Sequence, residues 1–338
     1  MSPRLFPRRP ISPLTRAAHR TASRAALALS LAAFLLLAAF PHGSLGEDLD
    51  WSESARLADK SLLLDAAQQG DRLIAVGERG NVLLSEDGGS TWTQVLVPTR
   101  RTLTGVALTE EGHAWAVGHD AVIVHSADGG KTWTLQYEAP EKGSPLLDVW
   151  FENPEHGLAV GAYALVLETR DGGKTWEKIT VDEEERHFNA IRQSSDGTLF
   201  VAAETGAVFR SGDKGKTWEA LRSPYEGSFF GLLGLSDGSL LVFGLRGHLY
   251  RSADRGESWQ EIPTGITSSL MSGVQRRDGS VVLVGLSGTV LLSRDGGNTF
   301  APRNRPDRMG LAAVLEPKGG GIVSFGEGGV VRIQDLDH

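Results

Sequence analysis

"SADGGKTW", residues 126–133, decides the fold because it returns. It recurs as "SEDGGSTW" at 85–92, "TRDGGKTW" at 169–176, "SGDKGKTW" at 211–218, "SADRGESW" at 252–259 and "SRDGGNTF" at 293–300. The aspartates Asp87, Asp128, Asp171, Asp213, Asp254 and Asp295 are spaced by 41, 43, 42, 41 and 41 residues. A fixed period in this range marks a chain built from stacked supersecondary units. Around each octamer the rest of the unit repeats as well. An apolar run, a short turn and a second run precede it, as in "LIAVGERGNVLLS" and "AWAVGHDAVIVHS". A further strand-like segment lies upstream ("LTGVALTEEG", "FNAIRQSSDG"), and a fourth follows ("TLQYE", "EALRS"). The runs are too short and too often broken by glycine for helices. Each unit is therefore four short strands, A to D, and the octamer is the hairpin between C and D.

Four-stranded units at this period predict an all-β fold, a seven-bladed β-propeller of antiparallel blades covering 47–338. The seventh copy, "GIVSFGEGGVVRIQD" at 321–335, places Asp335 40 residues after Asp295, but its octamer has decayed and the chain ends before a strand D. The segment "DLDWSESARL" at 48–57 precedes the first strand A. It is expected to supply the missing outer strand of blade seven, closing the ring and hiding a sheet edge.

The octamer's chemistry is that of a turn. Glycine supplies positive φ without steric cost. The aspartate accepts from backbone N–H groups of its own turn, and the Ser and Thr hydroxyls bond locally. Trp92, Trp133, Trp176, Trp218, Trp259 and Phe300 begin strand D with a large apolar body that packs beneath the hairpin. These residues and the six aspartates are expected to be structural.

The N-terminus differs in kind. Arg4, Arg8, Arg9, Arg16, Arg20 and Arg24 precede the uncharged "AALALSLAAFLLLAAF" at 25–40, and small residues Ser44 and Gly46 follow. A basic region, an apolar core and small residues read as a secretory signal over 1–46. The apolar stretch is short of the roughly 20 residues of a membrane span, and an uncleaved anchor at 25–40 is the alternative. The expected location is the periplasm or a lumen of thylakoid type, with or without that tether.

Those six arginines are part of 34 basic residues, and all 42 acids lie beyond them, so the chain after residue 46 carries a formal charge near −14. Such a domain is repelled by phosphate backbones, and no nucleic-acid partner is expected. The absence of cysteine excludes disulfides, thiolate metal sites and a cysteine nucleophile. After residue 46 the histidines His113, His119, His125, His156, His187, His248 and His338 show no H-x-H or H-x-x-x-H spacing, so no metal and no other cofactor is expected. Neither a P-loop, a dinucleotide fingerprint nor a G-x-S-x-G elbow occurs. No catalytic residue and no small-molecule substrate are assigned. The run Asp182-Glu183-Glu184-Glu185 reads as a solvated loop rather than half of a glycanase pair.

The octamer is similar to the Asp box, or bacterial neuraminidase repeat, found in sialidases, sortilin-type receptors, some glycanases and a family of assembly factors. The sialidase resemblance implies an arginine triad, a tyrosine partnered by glutamate, and an early Phe-Arg-Ile-Pro stretch. That stretch is absent, and of Tyr137, Tyr163, Tyr225 and Tyr250 the last falls in strand C of blade five, a structural place. Seven near-even repeats, together with segments such as "AVGERGNVLLS" and "AVGHDAVIVHS", resemble instead the photosystem II assembly and stability factor family. The resemblance implies a monomeric, non-enzymatic exported scaffold that binds an integral membrane protein or membrane complex, during its assembly or as an accessory, for instance of an exporter. A carbohydrate-active Asp-box protein, sialidase-like or glycan-binding, is the alternative.

Propeller topology puts C–D and A–B turns on one face and B–C and D–A connections on the other. The second face gathers Arg79, Arg100, Arg101, Arg186, Arg246, Arg303, Arg305 and Arg308, beside His119, Asp120, Tyr163, His187, Glu204, Tyr225 and Glu327. Arginine forks suit carboxylate-bearing partners and are common at interface hot spots. These eight arginines are the expected partner-binding residues.

Overall fold

A computed structural model describes residues 49–333. The signal or anchor at 1–46 and Asp335 lie outside the described residues. The chain is a seven-bladed β-propeller of antiparallel blades. Blade one comprises strand A (Leu63–Gln69), B (Arg72–Gly77), C (Val82–Ser85) and D (Thr93–Val95), hydrogen-bonded in that order. Five further sheets repeat this order, and among the described residues the last has three strands: A (Leu311–Leu315), B (Ile322–Gly326) and C (Gly329–Ile333).

Strand B explains why the sequence shows apolar runs rather than alternation. "AWAVG" (Ala114–Gly118) and "LLVFG" (Leu240–Gly244) are buried at every position. A strand with a neighbouring blade on each side buries both of its faces. Strands D are short and exposed, as in Glu177–Lys178 and Gln260–Glu261, which gives each blade a polar rim. The core is accordingly divided into seven wedges between adjacent blades. One of them unites Ile74, Val82 and Leu84 of blade one with Leu103, Val124 and Trp133 of blade two.

The seven strands A line the central channel. Every one carries a β-bulge one residue from its start, for example between Leu63 and Asp65 and between Phe229 and Gly231. A bulge leaves one residue unpaired and re-aims it. Here the extra residues are Leu64, Thr104, Leu147, Asn189, Phe230, Met271 and Ala312, and all seven line the channel. Thr104 and Asn189 turn this position into latches between blades: they donate to the carbonyls of Leu146 (2.7 Å) and Phe229 (2.8 Å) on the next strand A.

The closure differs from the expected strand exchange. Residues 49–57 form no strand and do not extend blade seven. They run beside the outer strand of blade one instead. Ser52 N–H donates to Val97 O (2.9 Å), the Ser52 hydroxyl accepts from Val97 N–H (2.9 Å), and Gln94 accepts from Ala55 N–H (2.8 Å) and donates to Glu53 O (3.0 Å). A single 3-10 turn, Ala58–Lys60, then crosses the seam and rests on Gly329 of blade seven, where a Cβ would stand 2.1 Å from Asp59 O. The ring closes by packing: Leu63, Leu73, Ala75 and Leu83 of blade one meet Ala313, Val323 and Phe325 of blade seven. Arg332 reinforces this seam by donating to Gly88 O (2.9 Å). Apolar burial between whole blades supplies the adhesion that a shared strand would otherwise provide.

Candidate partner-binding face

The six octamers share one carboxylate-centred network, to which Trp92, Trp133 and Trp218 add an indole N–H bond. In the first, Asp87 Oδ1 accepts from the Ser85 hydroxyl (2.8 Å) and from the N–H groups of Ser90 (3.0 Å) and Thr91 (2.9 Å), while Oδ2 accepts from the Thr91 hydroxyl (2.6 Å). Ser85 Oγ in turn accepts from Gly89 N–H (2.8 Å), and Trp92 Nε1 donates to Gly89 O (3.2 Å). The last repeats it with Asp295, Ser293 and Thr299, at 2.7 Å to Ser293 and 2.6 Å to the Thr299 hydroxyl. Donors converging on the charged form hold carboxyl pKa values down. The Thr91 hydroxyl and then its N–H bring Asp87 to about 2. At Asp295 burial pushes the other way, and the Thr299 donors still bring it to about 2. The box aspartate thus has its lone pairs committed to its own turn. Gly88 N–H and Gly129 N–H donate to Asp71 O and Gly112 O (2.8 Å each), tying the box to the A–B turn on the same face.

The opposite face carries the B–C and D–A connections. Six B–C turns place their tip in the left-handed region: Arg79, Asp120, Tyr163, Thr205, Arg246 and Ser287, all with φ between 54° and 59°. A non-glycine residue there costs about 1–2 kcal/mol. The backbone thus repeats while the side chain it thrusts outward changes from blade to blade. At Gly80 a Cβ would stand 2.1 Å from Thr99 O, so the D–A loop packs directly under this turn.

The eight predicted arginines do lie on this face, and they divide. Arg100 holds the N-terminal segment through Asp50 (2.8 Å), Glu53 (3.0 Å) and Trp51 O (3.0 Å). Arg101 pairs with Asp120 (2.7 Å), Arg186 with Asp182 and Glu184, and Arg305 with Asp307. Arg79, Arg246, Arg303 and Arg308 are exposed and have no carboxylate partner among the described residues. Of the eight, only these four are free of ion pairs, and Arg303 Nη1 donates to the carbonyl of Pro302 (3.0 Å).

Sequence reasoning missed two arrangements. In the channel, Asp65 accepts from Val106 N–H (2.9 Å), and Asp148 accepts from Ile191 N–H (2.8 Å) and pairs with Arg192. Each aspartate thus bridges to the next blade at the equivalent position. Burial pushes Asp65 up to about 7 and raises Asp148 as well. The signal was present: "LLLDAA" and "PLLDVW" put an acid at the same place in two apolar strands. The histidines also meet despite their spacing. His113 Nδ1 lies 3.0 Å from His125 Nε2, and burial, then the neighbouring His113, lowers His125 to about 4. No group of three or more metal-ligating side chains forms among the described residues.

Comparison with known proteins agrees with the geometry. The family model of the photosynthesis system II assembly factor YCF48 matches residues 88–144 and 135–336. A solved YCF48 bound to a D1 peptide is 20% identical, with a TM-score of 0.68, covering 84% of this chain and 97% of that one. YCF48 from Cyanidioschyzon merolae is 18% identical at a TM-score of 0.66, covering 85% and 99%. A streptogramin B lyase shares the fold at 14% identity and a TM-score of 0.68, covering 83% and 95%, so the architecture also serves enzymes. No curated protein matches the chain. With seven blades, six closed Asp boxes and a family match over most of its length, the chain belongs to the photosystem II assembly factor YCF48 family.

Proposed function

We propose that this protein is a non-enzymatic, exported scaffold that holds a segment of a membrane protein on the face of its B–C and D–A connections while a membrane complex is assembled. The observation that carries this reading is the division of labour between the faces. On one, the box carboxylates are spent on their own turns. On the other, Arg79, Arg246, Arg303 and Arg308 stand exposed on B–C turns and a D–A connection without carboxylate partners among the described residues. The planar guanidinium fork matches a carboxylate with two parallel hydrogen bonds. Family membership and the D1 peptide carried by a solved relative support a protein partner. The basic and apolar segments at 1–40 support export. The test is co-purification of membrane proteins with Arg79→Glu/Arg246→Glu. Loss of a specific partner with unchanged thermal stability supports the reading. Undiminished capture, or hydrolysis of a glycoside panel by the wild-type chain, contradicts it.

A further inference from the structure

The exposed apolar side chains are distributed unevenly. Among the described residues the large ones are Leu49, Trp51, Leu57, Leu96, Tyr163, Leu286 and Met309, and none lies on the Asp-box face. Six of the seven fall in one arc over blades six, seven and one. Met309 follows the D–A loop into blade seven, and Leu286 sits in the B–C turn of blade six, 3.5 Å from where a Gly310 Cβ would stand. A Cβ on Gly328 would lie 2.9 Å from Met309 Sδ, and the adjoining Gly329 meets Asp59, two residues beyond Leu57. Exposed apolar side chains thus stand on both sides of the seam, and blade seven has glycine, Gly328, at the turn tip where other blades carry Arg79 or Tyr163.

Charge in this arc is sorted too. Four of its acids meet cations, Asp50 and Glu53 at Arg100, Asp307 at Arg305 and Asp59 at Lys60 (3.4 Å), while Glu327 and Glu78 accept from the backbone N–H groups of Gly310 (2.8 Å) and Leu62 (3.3 Å). Arg79, Arg303 and Arg308 are left over. In a chain near −14 after residue 46, these three guanidinium groups without carboxylate partners stand in the same sector as exposed Trp, Leu and Met. Tryptophan, aliphatic side chains and arginine together are the composition that seats in a headgroup layer, and charges beyond about 8 Å are screened at physiological salt. The chain also enters at this arc, with Leu49 only nine residues beyond the apolar stretch 25–40.

We propose that the arc of Leu49, Trp51, Leu57, Leu96, Leu286 and Met309, flanked by Arg79, Arg303 and Arg308, is a footing on an anionic lipid bilayer. It orients the binding face toward the membrane in which a partner is embedded. The footing concerns a sector of the face on which the proposed function rests but needs no partner protein, so the two readings fail separately.

The absence of cysteine makes the test direct. Met309→Cys, Leu286→Cys and, on the Asp-box face, Lys174→Cys are labelled with an environment-sensitive fluorophore in the chain as isolated from cells. Protein-free vesicles of phosphatidylcholine with and without phosphatidylglycerol are then added. The footing predicts a blue shift at 309 and 286 on anionic vesicles, none at 174, and loss of the shift when Arg303→Glu and Arg308→Glu are combined with either label. An equal shift at 174, no shift at 309 and 286, or a shift that appears only when a membrane protein is incorporated would overturn it. The last outcome would make the arc part of the protein interface.

Discussion

The two faces of this propeller are made by the same backbone repeat and use polar side chains in opposite ways. On the Asp-box face each carboxylate collects donors from its own hairpin, as Asp128 does with the N–H (2.9 Å) and hydroxyl (2.7 Å) of Thr132. On the other, the equally regular B–C turns hold their tips at φ near 55° and vary what they carry: arginine at 79 and 246, tyrosine at 163, serine at 287. Repetition of side chains marks positions whose partners are internal. Repetition of backbone with varied side chains marks positions whose partners lie outside. A conspicuous sequence motif is for that reason a poor guide to the binding surface and a good guide to where it is not.

The largest effect expected from breaking this contrast is on the structural side. Trp133 is buried between blades one and two, and its Nε1 donates to Gly130 O (3.0 Å). Trp133→Ala should cost about 3–5 kcal/mol, read by denaturant unfolding. Phe300, which fills the same place in blade six without an N–H, predicts that Trp133→Phe costs far less. On the binding side, Arg79→Glu/Arg246→Glu should change stability by less than about 0.5 kcal/mol while abolishing partner capture.

Acid separates boxes from channel with opposite signs. The box aspartates Asp87, Asp128, Asp213, Asp254 and Asp295 sit at about 2. Their unfolded value is about 3.9, so the stability they contribute is present above that pH and is lost as pH falls toward 2. Asp65, raised to about 7, holds a proton in the folded chain that the unfolded chain has released, so its contribution declines as pH rises from about 4 to 7. Asp65→Asn should therefore raise the midpoint of thermal unfolding at pH 8 and leave it nearly unchanged at pH 4. An unchanged midpoint at pH 8 would mean that Asp65 is not strained by its burial. The smallest effect belongs to Arg100. Arg100→Ala removes exposed ion pairs worth about 0–1 kcal/mol in all, yet it should speed proteolysis within residues 50–56, which those pairs hold down.

Blade number, strand order and face assignment were all legible, because a tight C–D turn demands glycine and a local acceptor, and those demands recur at a countable interval. The closure was not. Whether 49–57 pairs with blade seven or lies along blade one is decided by Ser52 and Gln94, two ordinary polar residues whose bonds span about forty positions of sequence. The division of the eight arginines was hidden for the same reason. Arg100 and Arg246 look alike in sequence, and only the fold brings Asp50 and Glu53 to the first and leaves the second without a carboxylate partner among the described residues. The Asp65 and Asp148 bridges stood in view as acids inside apolar strands, but their meaning depends on a bulge that composition does not announce.

The central claim, that one face is spent on the fold and the other is kept for a partner, is tested most directly by matched charge reversal. One variant carries Arg79→Glu, Arg246→Glu, Arg303→Glu and Arg308→Glu. The other carries Lys131→Glu, Lys174→Glu, Lys214→Glu and Lys216→Glu on the Asp-box face. Quantitative co-purification of membrane proteins with each should show the arginine variant losing its partner and the lysine variant retaining it at equal net charge. Retention by the arginine variant and loss by the lysine variant would place the binding surface among the Asp boxes and contradict the account.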